Sequence, residues 1–200
     1  MQDSLTTPGF APKARAYWIA ATVAIIADFV TKRIVEGRLT PHFPVPVLGD
    51  WVRMTLTYNT GAAMNVSFGG FSRVGFSVVA VVMVGVLYRM YRGAPGRDVW
   101  QALALGLVTG GAIGNLVDRL RSARGVVDFI DVGFPDGGWR FYIFNVADSA
   151  VSIGAVLLAI ILFRRTEDAP VSTGDAAGPR ALASPPAAAS PSTDQPAAAD

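Results

Sequence analysis

Three apolar runs divide the chain, residues 74–88, 99–117 and 142–163, and the only charged residue within them is Asp148. A helix that crosses a bilayer needs roughly 20 residues. The second and third runs are long enough, and the first is long enough if Arg73 and Arg89 extend towards the interface from its ends. The pattern therefore predicts at least three transmembrane helices.

A fourth apolar run begins near Ala16. Its uncharged part also has the length and the basic flank of a secretory signal peptide. However, the apolar pattern continues to residue 35, and Asp28 and Lys32 share a helix face and can pair at their i,i+4 spacing. A fourth helix accounts for both charges, whereas a cleaved signal accounts for neither. We expect four helices, at about 16–35, 72–91, 98–120 and 141–163.

The two longer connections carry a different pattern. Residues 37–70 include "VRMTLTYN", in which apolar and polar residues alternate as in a half-buried strand. Prolines 41, 44 and 46 predict an irregular stretch before it, and the connection at 119–140 contains the turn signal "PDGG". The expected fold class is an all-α membrane protein of four transmembrane helices with a small β-structured segment.

Composition narrows the possible functions. The chain is 52% hydrophobic and 16% charged, which is too apolar for an ordinary soluble domain of its length. It has no cysteine and a single histidine, His42, so that any metal site would need oxygen ligands. Its arginines are scattered between apolar runs, which gives no support for nucleic-acid binding, and its lysines and arginines do not settle the membrane orientation.

The end of the chain has its own composition. Residues 166–200 are mostly alanine, proline, serine and threonine, and contain almost no large apolar residue. Such a segment cannot bury enough surface to fold. We expect it to be a disordered tail.

The unusual polar residues gather at one end of the predicted helices. Asn115 and Asp118 lie one turn apart near the end of the third helix, and Asn145 and Asp148 have the same spacing near the start of the fourth. The connections add Asp128, among apolar neighbours, and Asn59, in "YNTGAAMNV". We therefore expect a single polar site near one membrane surface.

The aspartates have different expected roles. Asp118 lies beside Arg119 and is expected to form a local ion pair, and Asp131 and Asp136 are expected to be solvated loop charges. Asp128 and Asp148 have no cation at helical spacing, and two carboxyls in contact would titrate as a coupled pair. Such a pair can activate a water and protonate a leaving group. Two alternatives remain open: a small proton-coupled transporter and a non-catalytic assembly factor.

At these positions the sequence resembles the lipoprotein signal peptidases, or signal peptidase II, which are membrane aspartyl peptidases. The resemblance rests on "DFVTK", "YNTGAAMNV", "GGAIGNLVDRL", "GVVDFIDV" and "FNVADSAVSIG", in order from Asp28 to Gly154. It implies a multi-pass protein of the bacterial cytoplasmic membrane. Residues 1–15 would be cytoplasmic, 16–165 would form the four-helix peptidase domain with both ends cytoplasmic, and the β-structured segment and the active site would lie at the outer face.

The resemblance also implies a mechanism and a site. Asp128 and Asp148 would act through water on prolipoproteins, cleaving before a diacylglyceryl-modified cysteine, without a metal or an organic cofactor. Partners would be these substrates, membrane lipids and globomycin-type cyclic-peptide inhibitors, and the protein would be a monomer. Substrate-binding residues would be Asn59, Gly61, Ala62, Asn115, Arg119 and Asn145, and structural support would come from Asp28, Lys32 and Asp118.

Two features depart from the family pattern. Met64 stands where an aromatic residue is expected, and the "PDGG" connection is longer than expected. Both departures concern the loops that would cover the site rather than its carboxyl groups.

Overall fold

The computed structural model describes residues 12–61, 71–135 and 138–167. It contains four helices and three strands in the order α1, β1, β2, α2, α3, β3, α4. The helices are α1 (Pro12–Arg38), α2 (Ser72–Gly93), α3 (Val99–Arg121) and α4 (Val146–Glu167), and the strands are β1 (Val45–Leu48), β2 (Val52–Asn59) and β3 (Val126–Val132). Ala62, Met64 and Asp136, as well as the expected N-terminal segment up to residue 11 and the tail beyond residue 167, lie outside the described residues.

Three of the helices, α2, α3 and α4, are long and apolar enough to cross a membrane. The valine-rich surface of α2 is exposed along most of its length, as expected of a helix that faces lipid. The helix α1 is longer than predicted and continues through its charged residues to Arg38. It is part of the folded helical domain, which argues against a cleaved signal in this segment.

The helix α3 lies at the centre and packs against the other three helices. Glycines make the closest approaches possible: a Cβ atom at Gly110 would lie 2.6 Å from the backbone oxygen of Ala21, and one at Gly114 would lie 2.7 Å from Oδ2 of Asp28. Small residues allow such close contacts between membrane helices. The last turns of α3 are thereby held against α1.

The connections build one antiparallel sheet in the order β1-β2-β3. The predicted strand "VRMTLTYN" is confirmed as β2. The expectation of an irregular stretch before it is wrong in part, because Pro46 lies inside β1. A proline is tolerated there because β1 is an edge strand and the register shifts between Pro46 and Leu48.

One face of the sheet closes the end of the helical domain. Leu56 of β2 and Val127 and Phe129 of β3 are buried together with Val35 of α1. The opposite face carries the polar residues of β2. This packing fixes the sheet against the end of α1.

A bulge interrupts the alternation of β3. The N–H groups of Phe129 and Ile130 both donate to the carbonyl oxygen of Phe144, at 3.0 and 2.8 Å. Two residues of β3 thus oppose one residue of the returning chain, which is the pattern of a β-bulge. As a result Asp128 and Asp131, three residues apart, both line the same cavity.

The helix α4 begins at Val146, several residues after the predicted start near 141. The preceding residues run beside β3 instead, with bridges between Ile130 and Phe144 and between Gly133 and Arg140. The prediction that "FYIF" belongs to the fourth helix is therefore wrong, because this segment runs beside the strand β3. This shift places Asp148 in the first turn of α4.

Candidate active site

Asn145 and Asp148 cap the start of α4 reciprocally. The N–H of Asp148 donates to Oδ1 of Asn145 at 2.9 Å, and the N–H of Asn145 donates to Oδ2 of Asp148 at 3.2 Å. This is the geometry of a capping box. Asp148, which interrupts the third apolar run, thus lies at the N-terminus of α4, where free N–H groups and the helix dipole favour a negative charge.

Asp128 is held by two amide side chains. Nδ2 of Asn145 donates to its Oδ1 at 2.6 Å, and Nδ2 of Asn59 donates to its Oδ2 at 3.2 Å. Asn59 is itself oriented, because its Oδ1 accepts from the N–H of Gly61 at 3.0 Å. Both carboxyl oxygens of Asp128 therefore have a fixed neutral donor.

Asn115 connects this region to a buried ion cluster. Its Nδ2 donates to Oδ1 of Asp148 at 2.7 Å, while its Oδ1 accepts from Nζ of Lys32 at 3.0 Å. Nδ2 of Asn145 also donates to Oδ1 of Asn115, at 3.1 Å. The lysine thereby sets the orientation of the amide that meets Asp148.

The ion cluster consists of one lysine between two aspartates. Nζ of Lys32 lies 2.7 Å from Oδ2 of Asp28 and 2.8 Å from Oδ2 of Asp118, and all three side chains are almost completely buried. The pair Asp28–Lys32 is the one that its spacing predicts. Oδ1 of Asp28 also accepts from the N–H of Ala147 at 2.9 Å, so the cluster satisfies a further free N–H group of α4.

The expected pair of Asp118 with Arg119 is wrong. Asp118 pairs with Lys32, is 3.5 Å from Nη2 of Arg33, and accepts from the N–H of Val127 at 3.2 Å. Neighbours in a helix point in different directions, so adjacency in sequence did not bring these two side chains together. Arg119 donates instead to the backbone oxygens of Asn115, at 3.1 Å, and Gly61, at 3.4 Å.

A cavity of about 930 Å³ brings the predicted residues together. Its lining includes Asp128 and Asp148 as well as Asn59, Asn115 and Arg119. Gly61 is buried beside it and Ala62 lies outside the described residues. Asp28, Lys32 and Asp118 do not line this cavity.

Sequence reasoning missed a second polar group in the cavity wall. Asp131 is 3% exposed, so the expectation of a solvated loop charge is wrong. Its Oδ1 accepts from Nε of Arg140 at 2.7 Å, and its Oδ2 accepts from Nε of Arg53 at 3.1 Å and from Oγ1 of Thr55 at 2.9 Å. Burial disfavours the ionised carboxylate, but these hydrogen bonds outweigh it and lower the pKa of Asp131.

A signal for part of this group was present in the sequence. The alternation in β2 places Arg53, Thr55 and Thr57 on the same face as Asn59, and all four line the cavity. The contribution of Asp131 depends on the bulge in β3, for which the sequence gives no signal. The contribution of Arg140 has no sequence signal either, because it depends on the pairing of residues 140–144 with β3.

The pKa of Asp128 is shifted in the opposite direction to that of Asp131. Burial, followed by the negative charge of Asp148, raises the pKa of Asp128 to about 7, against the opposing effect of the hydrogen bonds from Asn59 and Asn145. A carboxyl group with such a pKa can hold a proton at neutral pH and release it to a leaving group. Within the described residues, no set of three or more histidine and carboxylate side chains could hold a metal ion.

Comparison with known proteins decides the family. The model of the family described as signal peptidase (SPase) II matches residues 20–164. The chain belongs to the signal peptidase II family. Membership makes it an aspartic peptidase of bacterial membranes and supports the removal of signal peptides from prolipoproteins as its activity.

Individual relatives agree with this assignment. A lipoprotein signal peptidase of Pseudomonas syringae pv. tomato is 41% identical over 153 residues, covering 75% of this chain and 87% of the relative. One of Pseudomonas putida is 41% identical over 155 residues, covering 76% of this chain and 89% of the relative.

Solved structures share the fold. A bacterial membrane enzyme determined by the in meso method at 2.3 Å resolution has a TM-score of 0.66 and 28% identity, covering 78% of this chain and 93% of that chain. A second, at 1.9 Å, has a TM-score of 0.62 and 29% identity, covering 73% and 91%. Of the three functions that the residues alone left open, family membership supports the peptidase.

Proposed function

We propose that this signal peptidase II cleaves prolipoproteins before a diacylglyceryl-modified cysteine, and that Asp128 and Asp148 are its catalytic pair. One observation carries the proposal: two carboxyl groups from different elements line one cavity, and the negative charge of Asp148 acts on Asp128. Their direct hydrogen-bond donors are amides, which orient the carboxyl groups without neutralising them.

The geometry suggests how one proton is divided between the two groups. Asp128, whose pKa is raised to about 7, starts protonated. Asp148, in the first turn of α4, starts ionised and accepts the proton of a water. The oxygen of this water attacks the carbonyl carbon of the peptide bond before the modified cysteine.

The second half of the reaction breaks that bond. The proton of Asp128 first hydrogen-bonds to the oxygen of the tetrahedral intermediate and then passes to the departing nitrogen as the C–N bond breaks. The proton that Asp148 took from the water moves to Asp128. The second proton of the water leaves with the new carboxyl group, which ionises. The products are a signal peptide that ends in a carboxylate and a lipoprotein whose cysteine has a free amino group. The pair returns to its starting state with one proton, so no metal or organic cofactor takes part.

Contacts support further roles. Asn59, Asn115 and Asn145 orient the carboxyl groups, and Arg119 and Gly61 would meet the substrate backbone. The same role for Ala62 rests on the resemblance to the family alone. The ion cluster of Asp28, Lys32 and Asp118 supports this arrangement from outside the cavity. Globomycin-type cyclic peptides would occupy the same cavity and inhibit the enzyme.

We also propose a four-span topology, with α1 as the fourth span. Its charges in the membrane are offset because Asp28 and Lys32 pair with each other and with Asp118 of α3. Four spans place both termini on one side, here the cytoplasmic side, and the sheet and the cavity at the outer face. The protein would function as a monomer within the lipid bilayer.

The decisive experiment follows release of the signal peptide from a diacylglyceryl-modified prolipoprotein by the purified enzyme in detergent. We expect Asp128→Asn and Asp148→Asn each to reduce the rate by a factor of about 1,000 or more, because each removes a proton-transfer group but keeps the side-chain shape. Asp50→Asn is the matched control, since Asp50 is exposed and outside the cavity lining.

Three results would contradict the proposal. Near-normal cleavage by either variant would make that aspartate structural. Equal cleavage of the unmodified prolipoprotein would remove the lipid requirement. An inactive wild type that is folded would refute the substrate class.

A further inference from the structure

The cavity that holds Asp128 and Asp148 is lined by two elements of different kinds. Val151 and Ser152, in the second turn of the apolar helix α4, contribute to its wall. The polar face of β2 contributes Arg53 and Thr55. Along β2, Thr57 lies opposite Asp128 and Arg53 lies opposite Asp131, so that Arg53 is farther from the catalytic pair than Thr57.

This asymmetry gives the substrate a direction, on the basis of the proposed function. A signal peptide is apolar and lies in the bilayer, so it approaches along α4, which is a membrane-spanning helix. The chain after the scissile bond belongs to the mature lipoprotein and is polar. It therefore leaves the catalytic pair along the face of β2.

The β2 wall of the cavity carries an excess positive charge. Two guanidinium groups, of Arg53 and Arg140, meet the single carboxylate of Asp131. All three guanidinium nitrogens of Arg140 donate hydrogen bonds. Nε donates to Oδ1 of Asp131, Nη2 donates to the backbone oxygen of Asp131, and Nη1 donates to the backbone oxygen of Asp50 at 3.0 Å.

Arg53 has capacity left for a ligand. Among the residues that the structure describes, its only partner through the guanidinium group is Asp131, met by Nε and Nη2 at 3.1 Å each, and its side chain remains 25% exposed. Its guanidinium can therefore accept a second anionic partner from the cavity side. Thr57, between Arg53 and Asn59 on the same face, keeps the path to the catalytic pair polar.

The sheet register gives the distance from the scissile bond. Thr57 lies opposite Asp128, and Arg53 is four residues away along β2. At about 3.3 Å per residue, this separation is about 13 Å, which an extended substrate chain covers with about four residues. The modified cysteine counts as the first of these residues.

We propose that the face of β2 is the subsite for the mature lipoprotein chain, and that Arg53 makes it favour an acidic side chain near the fourth residue after the scissile bond. An acidic side chain there meets the available guanidinium. A lysine at the same place meets a like charge.

The test uses three diacylglyceryl-modified prolipoproteins that differ only at this fourth residue: glutamate, glutamine or lysine. We expect kcat/KM of the wild type to fall in that order, with about a fivefold difference between glutamate and lysine, as for a partly exposed charge pair. The preference should shrink at high salt and be largest at this position when the charge is moved along the chain.

Substitutions assign the effect to Arg53. We expect Arg53→Gln to bring the glutamate and lysine substrates to equal kcat/KM, and Arg53→Lys to keep the preference. The matched control is Arg38→Gln, because Arg38 is an exposed arginine at the end of α1 that does not line the cavity. A purely structural loss would lower all three rates together and leave their ratio unchanged.

Equal kcat/KM of the wild type on the three substrates would overturn the subsite. It would also be overturned if Arg53→Gln kept the ratio of kcat/KM between the glutamate and lysine substrates unchanged. If Arg53→Gln does not fold, the position of the preference along the substrate decides: a preference that does not peak near the fourth residue overturns the proposal. The glutamine substrate separates this inference from the proposed function, because it has no charge at the fourth residue. Its cleavage tests the proposed function, and the ratio of the glutamate to the lysine substrate tests the subsite.

Discussion

Two groups of aspartates lie on either side of Asn115, and they differ in what compensates their charge. Asp28 and Asp118 share the ammonium group of Lys32, and this ion cluster is closed to solvent. Asp128 and Asp148 receive amide and backbone donors and line an open cavity. The same residue type is thus paired with a buried cation in one region and held by uncharged donors in the other.

The comparison explains why the ion cluster exists at all. A carboxylate that must change its protonation cannot also serve as a permanent ion-pair partner. The ion cluster anchors α1, α3 and the first turn of α4 through the ion pairs of Lys32 and the hydrogen bond from the N–H of Ala147 to Asp28. The carboxyl groups of the proposed catalytic pair are then positioned through amides attached to this anchor.

The largest expected effect comes from breaking the ion cluster. Lys32→Met leaves two buried carboxylates without their cation, and we expect it to lower the free energy of unfolding by about 3–5 kcal/mol. Asp128→Asn, in the other group, should not destabilise the protein at neutral pH. Thermal or denaturant unfolding in detergent measures both, and equal destabilisation by the two variants would remove the distinction drawn here.

Asn115 is the link between the two groups. Asn115→Ala leaves both Lys32 and Asp148 without one partner, and we expect it to cost about 1.5–3 kcal/mol of stability, as for hydrogen bonds to charged groups. Signal-peptide release should fall at least tenfold because Asp148 loses its orientation. Loss of stability at a full catalytic rate would show that the ion cluster does not act on the catalytic pair.

The close approach of α1 to α3 can be tested separately. We expect Gly114→Ala to cost about 1–3 kcal/mol, since the new Cβ would lie 2.7 Å from Oδ2 of Asp28. Gly85→Ala is the matched control in a helix, because a Cβ there has no atom within 4 Å. The control should be neutral or stabilising by up to about 1 kcal/mol, and a similar loss in both variants would contradict the packing argument.

The smallest effect, counted per pH unit, is the pH dependence of stability. The pKa of Asp128 is raised to about 7, so that between about pH 4 and about pH 7 the folded state holds a proton that the unfolded state has released. Its contribution to the free energy of unfolding therefore falls as the pH rises through this window, by at most about 1.4 kcal/mol per pH unit.

Asp128→Asn should remove this slope. The measurement is unfolding of wild type and variant at several pH values from 4 to 8, with the difference between them plotted against pH. A difference that does not change with pH would contradict the raised pKa of Asp128.

Much of the site could be predicted because its residues sit in local patterns. The spacings of Asn115 with Asp118 and of Asn145 with Asp148 define helix faces, and the alternation in β2 defines the polar face that carries Asn59. The pairing of Asp118 could not be predicted, since its partner Lys32 comes from a distant helix. The burial of Asp131 could not be predicted for a similar reason, because its ion-pair partners Arg53 and Arg140 come from other segments of the chain.

The sequence by itself determined the apolar helices, the strand β2, the family and most of the polar residues that line the cavity, because hydropathy, period and motif are properties of contiguous segments. Only the tertiary structure decided the start of α4, the bulge that brings Asp131 to the same cavity as Asp128, and which carboxyl group receives a cation and which an amide. These features depend on backbone pairing and burial between segments far apart in the chain. The division of the aspartates into those paired with a lysine and those held by amides is therefore a property of the fold.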